Sequence, residues 1–230
     1  MKPMPRTAIL ALMLPLLSAF ASAADKEPAK AAKEIRTFRV LVGDRESGSY
    51  SISTQPLADG TTLMNAAADI EAKVLIRTYK FSLRAAEVWK DDRLMRLESQ
   101  CNDDGKRFKV SATGTDEGLS ITVNDKTALT KGLVFSSTWW KLPAEKYREV
   151  KLPAVESDSG AVHTVKLEKV GVSEITLNGK VFPCLQYRLT GEQKADLWYD
   201  GDGRLVRQVT VELGQKTTLE LASIKREALP

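Results

Sequence analysis

The chain has 230 residues, 43% apolar and 28% charged, enough for a packed core in one or two domains. Its 34 basic and 30 acidic residues leave a formal charge of only +4, without the dense basic face that a nucleic-acid footprint needs. A single histidine, His163, excludes multi-histidine metal sites and weighs against histidine-based catalysis.

Residues 1–23 read as a secretory signal peptide. Lys2 and Arg6 give a positive start, Ala8 to Leu17 an apolar stretch, and Ala21-Ser22-Ala23 a small-residue cleavage pattern, so the mature chain is expected to begin at Ala24. The apolar stretch is short for a membrane span and is broken by Pro15. No cysteine stands near the cleavage point to carry a lipid, and no later run reaches the length of a spanning helix. The expected product is exported, periplasmic or extracellular, with no transmembrane segment. Residues 24–36, rich in Ala, Lys and Glu around Pro28, lack an apolar stripe and read as a flexible tether.

From Thr37 to the end the pattern has a period of two, which predicts one β domain over 37–230. Phe38, Val40 and Val42 share one strand face. Residues 74–81 alternate as a second run, Val162, Val165 and Leu167 open another, and Val206, Val209, Val211 and Leu213 mark one near the end. Turn chemistry separates the runs at Ala58-Asp59-Gly60, Asn102-Asp103-Asp104-Gly105, Asn178-Gly179 and Asp200-Gly201-Asp202-Gly203. About ten or eleven strands at this spacing predict a single antiparallel sheet curled into a half-barrel, or a sandwich. Ser136 to Val150, containing Trp139, Trp140 and Pro143, reads as a long loop with a helical turn, and Pro153 to Gly160 as a second irregular stretch.

The two parts of this domain echo each other. Tyr79, Glu87-Val88-Trp89-Lys90-Asp91 and Arg93-Leu94-Met95-Arg96 are answered by Tyr187, Asp196-Leu197-Trp198-Tyr199-Asp200 and Arg204-Leu205-Val206-Arg207. The tryptophans lie 109 residues apart and the tyrosines 108, so either the domain is internally duplicated with its tryptophans in equivalent places, or two ordinary hairpins look alike.

Trp198-Tyr199-Asp200-Gly201-Asp202-Gly203, with Tyr187-Arg188-Leu189-Thr190-Gly191 before it and Glu87-Val88-Trp89 with Leu94 earlier, resembles an uncharacterised family of secreted bacterial proteins with a C-terminal Trp-Tyr-Asp-x-x-Gly hairpin. Such proteins are similar in turn to the lipoprotein-localisation carriers and outer-membrane lipoprotein receptors. That resemblance implies a curved antiparallel half-barrel whose concave face accepts an acyl chain. It implies no catalytic residues.

The candidate chemistry is thin. His163 lies on an expected strand with no Gly-x-Ser-x-Gly elbow nearby, and reads as a packed or surface histidine. Asp200 to Gly203 lacks the acidic twelfth position of a calcium loop, where Val211 stands. Glu87, Asp91, Asp196 and Asp200 have the residue type for paired-carboxylate chemistry, but turn and edge positions favour solvation. Neither a metal nor a cofactor is expected.

Cys101 and Cys184 are the only cysteines. Export permits a disulfide worth about 4 kcal/mol in the chain-entropy model, and both residues also suit buried strand positions as small hydrophobes. The sequence leaves these alternatives open.

Trp139 and Trp140, beside Phe135 and Leu142, either plug an open barrel end or divide the work, one anchoring the core and one meeting a ligand. The leading expectation is a non-enzymatic protein that binds an apolar or amphipathic ligand such as a lipid. Tyr79, Phe81, Trp89, Trp139 and Trp140 are its candidate surface. The rival is a structural or protein-interaction module of the cell envelope with a side-chain-filled interior.

Overall fold

The computed structural model describes residues 32–74, 77–177, 179–212 and 214–228. The expected signal peptide and residues 24–31 of the tether lie outside them. The strands of the first half are β1 (Ala32–Val42), β2 (Arg45–Pro56), β3 (Thr61–Val74), β4 (Arg77–Lys90), β5 (Arg93–Asp103), β6 (Lys106–Gly114), β7 (Gly118–Val123) and β8 (Lys126–Lys131). Those of the second are β9 (Phe135–Ser136), β10 (Lys151–Val155), β11 (Val162–Leu177), β12 (Lys180–Gly191), β13 (Ala195–Tyr199), β14 (Leu205–Glu212) and β15 (Gln215–Ala228). All belong to one open sheet in the order β8-β7-β6-β5-β4-β3-β2-β1-β15-β14-β13-β12-β11-β10-β9. The fold is all-β, as the alternation predicts. Among the described residues no helix is long and apolar enough to cross a membrane.

The topology is two meanders joined at a seam. The first runs outward from β1 to β8, the second returns inward from β9 to β15, and β1 pairs antiparallel with β15 from Ala32↔Ala228 to Val42↔Thr217. Neighbours are antiparallel except β9 and β10, which pair in parallel through Phe135↔Ala154 and Ser136↔Val155. Bulges between Thr37 and Phe38, Val40 and Leu41, Val88 and Trp89, and Trp198 and Tyr199 bend the strands and help the sheet to curl.

Burial follows the pleat. Phe38 and Val40 of β1, Tyr50 and Ile52 of β2, Leu83, Ala85 and Trp89 of β4, and Leu197 and Tyr199 of β13 point into one core. β3 contributes Met64, Ala66, Ala68 and Ala72 to the same face. Its alanines are too small to fill the hollow of a curled sheet, and the connection between β8 and β11 supplies what they lack. Val134, Phe135, Trp139, Leu142, Ala154 and Val155 of that connection are all buried in the same core, forming a plug.

Several expectations change. Among the described residues fifteen strands replace ten or eleven. One reason is that the run read as a single strand over 74–81 is a hairpin: β3 ends at Val74 and β4 begins at Arg77, without the Gly or Asn that usually marks a turn. The tether boundary at 36 moves, because β1 starts at Ala32 and Arg36 is buried. Of the stretch from Ser136 to Val150, Ser136 ends β9 and the rest is irregular with a 3-10 turn at Glu145–Tyr147, but Pro153 sits inside β10, paired with Thr164.

The echo does not carry into space. Tyr79 and Trp89 lie on one strand, β4, whereas Tyr187 and Trp198 lie on neighbouring strands β12 and β13. Trp89 is buried in the core, while Trp198 is half-buried, with the Arg207 guanidinium 5.3 Å from its ring. The tryptophans therefore do not occupy equivalent positions.

Gly160 closes the plug where no side chain fits: its φ is +72°, and a Cβ there would lie 2.3 Å from Val123 Cγ2. Gly160→Ala is expected to lower stability in urea by about 1–3 kcal/mol through overpacking, beyond the backbone cost. Gly179→Ala, at φ +75° in open space, should lose only the left-handed backbone penalty of about 1 kcal/mol. Equal losses would mean that the plug yields to the methyl group.

Candidate functional site

Glu87 is the unexpected residue of the concave face. It stands on β4 between Ala85 and Trp89, both inward and apolar, and is only 1% exposed. A carboxylate in such surroundings requires hydrogen bonds, and the plug supplies them. Ser136 Oγ donates to Oε1 at 2.5 Å, Ser157 Oγ to Oε1 at 3.2 Å, and Thr138 Oγ1 lies 3.3 and 3.4 Å from the two oxygens. Trp89 Nε1 donates to Oε2 at 2.7 Å from the same strand. Burial pushes the Glu87 pKa up to about 7, despite these donors, which oppose the rise.

A second polar anchor holds the other side of the plug. Arg36 of β1, 1% exposed, donates from Nη1 to the carbonyls of Trp140 at 3.0 Å and Leu205 at 3.2 Å. Glu34 lies 3.4 Å from Arg36 Nε and accepts from Arg204 at 2.9 Å and Arg226 at 3.2 Å, drawing β1, β15 and the β13–β14 turn together. Tyr199 Oη donates to the Trp139 carbonyl at 3.2 Å, and the Leu142 amide donates to the Gly203 carbonyl at 2.8 Å. Trp139 itself has φ +42°, a strained value for a bulky residue.

The plug leaves a chamber on either side. The larger, about 580 Å³, has Tyr50, Ala68, Ile70, Phe81, Leu83 and Leu219 on its walls. Glu156, Asp158, His163, Glu192 and Lys194 are its charged or titratable lining, with Tyr79 also in the wall. The smaller, about 250 Å³, is walled by Trp89, Phe135, Trp139 and Trp140, with Lys90, Asp91, Asp92 and Lys141 among its polar lining.

The five candidate ligand residues are thus divided. Tyr79 and Phe81 line the larger chamber, Trp89 and Trp140 the smaller, and Trp139 touches both. Tyr79 donates to Asp103 Oδ1 at 2.6 Å. Trp139 is 4% exposed and stacks on Phe135, so it is part of the packed plug, while Trp140 is only partly buried. Cys101 and Cys184 are separate buried thiols on β5 and β12, with seven strands between them in the sheet order. The second alternative therefore holds for them, and burial pushes the Cys101 thiol up to about 12.

The carboxylates proposed as a set do not act together. Glu87 is enclosed by the plug, Asp196 pairs with Arg188 at 2.9 Å, and Asp200 holds Arg204 at 2.7 Å while accepting the Asp202 and Arg204 amides. His163 Nε2 lies 3.1 Å from Glu156 Oε1. The sequence presents Glu87 as one of a possible carboxylate pair or as a solvated carboxylate, and not as a buried one. The available signal was its register: a charged residue in phase with Leu83, Ala85 and Trp89.

Because the folded Glu87 pKa, about 7, exceeds the ordinary 4.5, the folded chain keeps a proton that the unfolded chain has lost between these values. Its contribution to stability is full below pH 4.5 and is lost as pH rises through about 7. Glu87→Gln does not titrate. Urea denaturation across this range should therefore show the stability difference moving in the variant's favour as pH rises, then levelling off. A difference independent of pH contradicts the raised value.

Solved structures place this architecture among barrel-like proteins. A β-barrel-like protein of the DUF1849 family from Brucella abortus superposes with a TM-score of 0.62 at 8% identity, covering 86% of this chain and 98% of that one, a likeness of fold alone. A DUF1329 family protein from Desulfovibrio piger ATCC 29098 aligns over 86% of each chain at 11% identity, but its TM-score of 0.22 carries no argument. No curated protein matches the chain in sequence. The sequence matches the domain of unknown function DUF6134 over residues 38–222, most of its length, and the chain belongs to that family.

Proposed function

We propose that the protein is exported and binds the apolar part of an amphipathic molecule, a lipid foremost, in its larger chamber, without transforming it. The observation that carries this reading is the chamber itself. Its volume of about 580 Å³ lies within the ordinary range for small-molecule sites, about 300–1,000 Å³. The apolar walls suit a chain, and the titratable groups at Glu156, His163, Glu192 and Lys194 suit a polar end. Each methylene moved from water to these walls contributes about 0.8 kcal/mol. Export rests on Lys2, Arg6, the apolar stretch and Ala21-Ser22-Ala23.

A binding rather than catalytic role is supported by how the reactive groups are committed. Ser136 and Ser157 donate to Glu87, whereas His163 sits against Glu156. Ser159 shares Glu156 with His163, but among the described residues no hydrogen bond joins a serine to the histidine, unlike a nucleophile–base pair. The rival reading, an envelope interaction module, draws on the plug, whose buried Phe135 and Trp139 fill the space between the chambers.

Native mass spectrometry of protein taken from the cell envelope is expected to show a mature chain beginning near Ala24 and carrying an extractable lipid. In a fluorescent acyl-probe titration, Phe81→Glu should weaken binding about tenfold or more, since a charge on the chamber wall must be desolvated. Phe81 is only partly buried, so thermal unfolding should change little. Absence of both adduct and probe binding favours the interaction module.

A further inference from the structure

The smaller chamber lies beyond the plug from the proposed acyl site, and its chemistry is different. At about 250 Å³ it falls below the usual range for drug-sized ligands, about 300–1,000 Å³, and suits a compact group. Trp89 and Trp140 form two nearly perpendicular walls, their planes at 73° and centroids 6.2 Å apart. Phe135 stands 6.1 Å from Trp89 and stacks on Trp139 at 6.2 Å with planes 10° apart. Aromatic faces carry the negative part of the ring quadrupole, so clustered aromatic walls favour a cation.

The charged lining is balanced in number, Lys90 and Lys141 against Asp91 and Asp92. Lys141 Nζ is held by Asp92 Oδ1 at 3.3 Å, which neutralises that pair, and Lys90 and Asp91 are both exposed. Asp91 has no ion pair among the described residues. The walls are also set in advance: the Trp139 backbone keeps its φ of +42° with its carbonyl held by Tyr199, and the Trp140 carbonyl is held by Arg36. Ligand entry need not order them, which removes a cost of binding.

We propose that this chamber binds a quaternary or heavily methylated ammonium group, its alkyl shell against Trp89 and Trp140 and its charge balanced by Asp91. A primary ammonium is a compact, strongly hydrated charge with three donors to satisfy. A methylated ammonium has no such donors, or fewer, and matches aromatic walls better.

The test is a tryptophan-fluorescence titration of the mature protein with choline and with tetramethylammonium, each against potassium chloride at equal ionic strength. A neutral carbon isostere of choline, 3,3-dimethylbutan-1-ol, gives the uncharged comparison. Choline and tetramethylammonium should saturate and potassium should not, and choline should bind about tenfold tighter than the isostere. Trp140→Leu, which keeps apolar bulk but removes the ring face, should weaken choline and leave the isostere nearly unchanged. Asp91→Asn, on an exposed turn, should weaken choline without shifting the unfolding midpoint. Equal affinity for choline and the isostere, or no saturation with either cation, overturns the proposal. So does saturation by a neutral sugar alone, which would assign the aromatic walls to sugar stacking. Acyl-probe binding in the larger chamber is read separately, so failure of one proposal leaves the other standing.

Discussion

A buried carboxylate has to be solvated by something, and in this fold most of the donors come from the plug. Glu87 faces inward between apolar neighbours, and of its donors only the Trp89 indole comes from its own strand. The hydroxyls of Ser136, Thr138 and Ser157 arrive from the connection that crosses the concave face. Burying the charge unpaired would be expensive, so the requirement for hydrogen bonds fixes where the connection sits. Arg36 imposes the matching requirement on the opposite side, where its guanidinium needs the carbonyls of Trp140 and Leu205. Two inward polar residues thus set the place of an irregular segment that strand pairing alone would leave largely free.

The chambers follow from that placement. Ala66, Ala68, Ala72 and Ala85 leave the inner face of β3 and β4 shallow, and the plug crosses without filling the hollow from end to end. One remaining space inherits mixed walls, with Ile70, Phe81, Leu83 and Leu219 beside Glu156, Asp158 and Glu192, and the other the tryptophans beside the Asp91–Asp92 turn. Because Trp139 lines both, its backbone strain and packing are shared between them. A molecule in either space therefore rests against the same rigid partition.

Much of this architecture was legible because period-two alternation is a direct consequence of the pleat. Phe38 and Val40 share one strand face in the sequence and are inward in the structure. The β11–β12 hairpin, whose last described pair is Leu177↔Lys180, is where Asn178-Gly179 places it. Legibility fails where local chemistry is uninformative. The β3–β4 connection carries apolar residues, so two strands read as one. Pro153 suggested a break, yet β10 accommodates it beside the short strand β9. The tandem echo is not matched strand for strand, since Tyr79 and Trp89 share β4 whereas Tyr187 and Trp198 stand on β12 and β13. The site was half visible: its aromatics stood out as types, but their division between two chambers depends on the plug's path. Glu87 was recognisable as a carboxylate, and its enclosure arises from residues 49 to 70 positions later.

The β1–β15 seam has a consequence for how the molecule is born. Ala32 and Ala228 are partners, so the pairing at the middle of the sheet joins the two ends of the described chain. While the chain is being delivered, the first meander has neighbours for β2 through β8 but only one for β1, whose other edge waits for the last strand. The interval is set by synthesis of the residues between β1 and β15, and no local contact shortens it. An open strand edge with Phe38 and Val40 beside it is a template for a foreign strand. A protein arranged in this way stays vulnerable until β15 arrives, and that strand is the piece that ends the exposure.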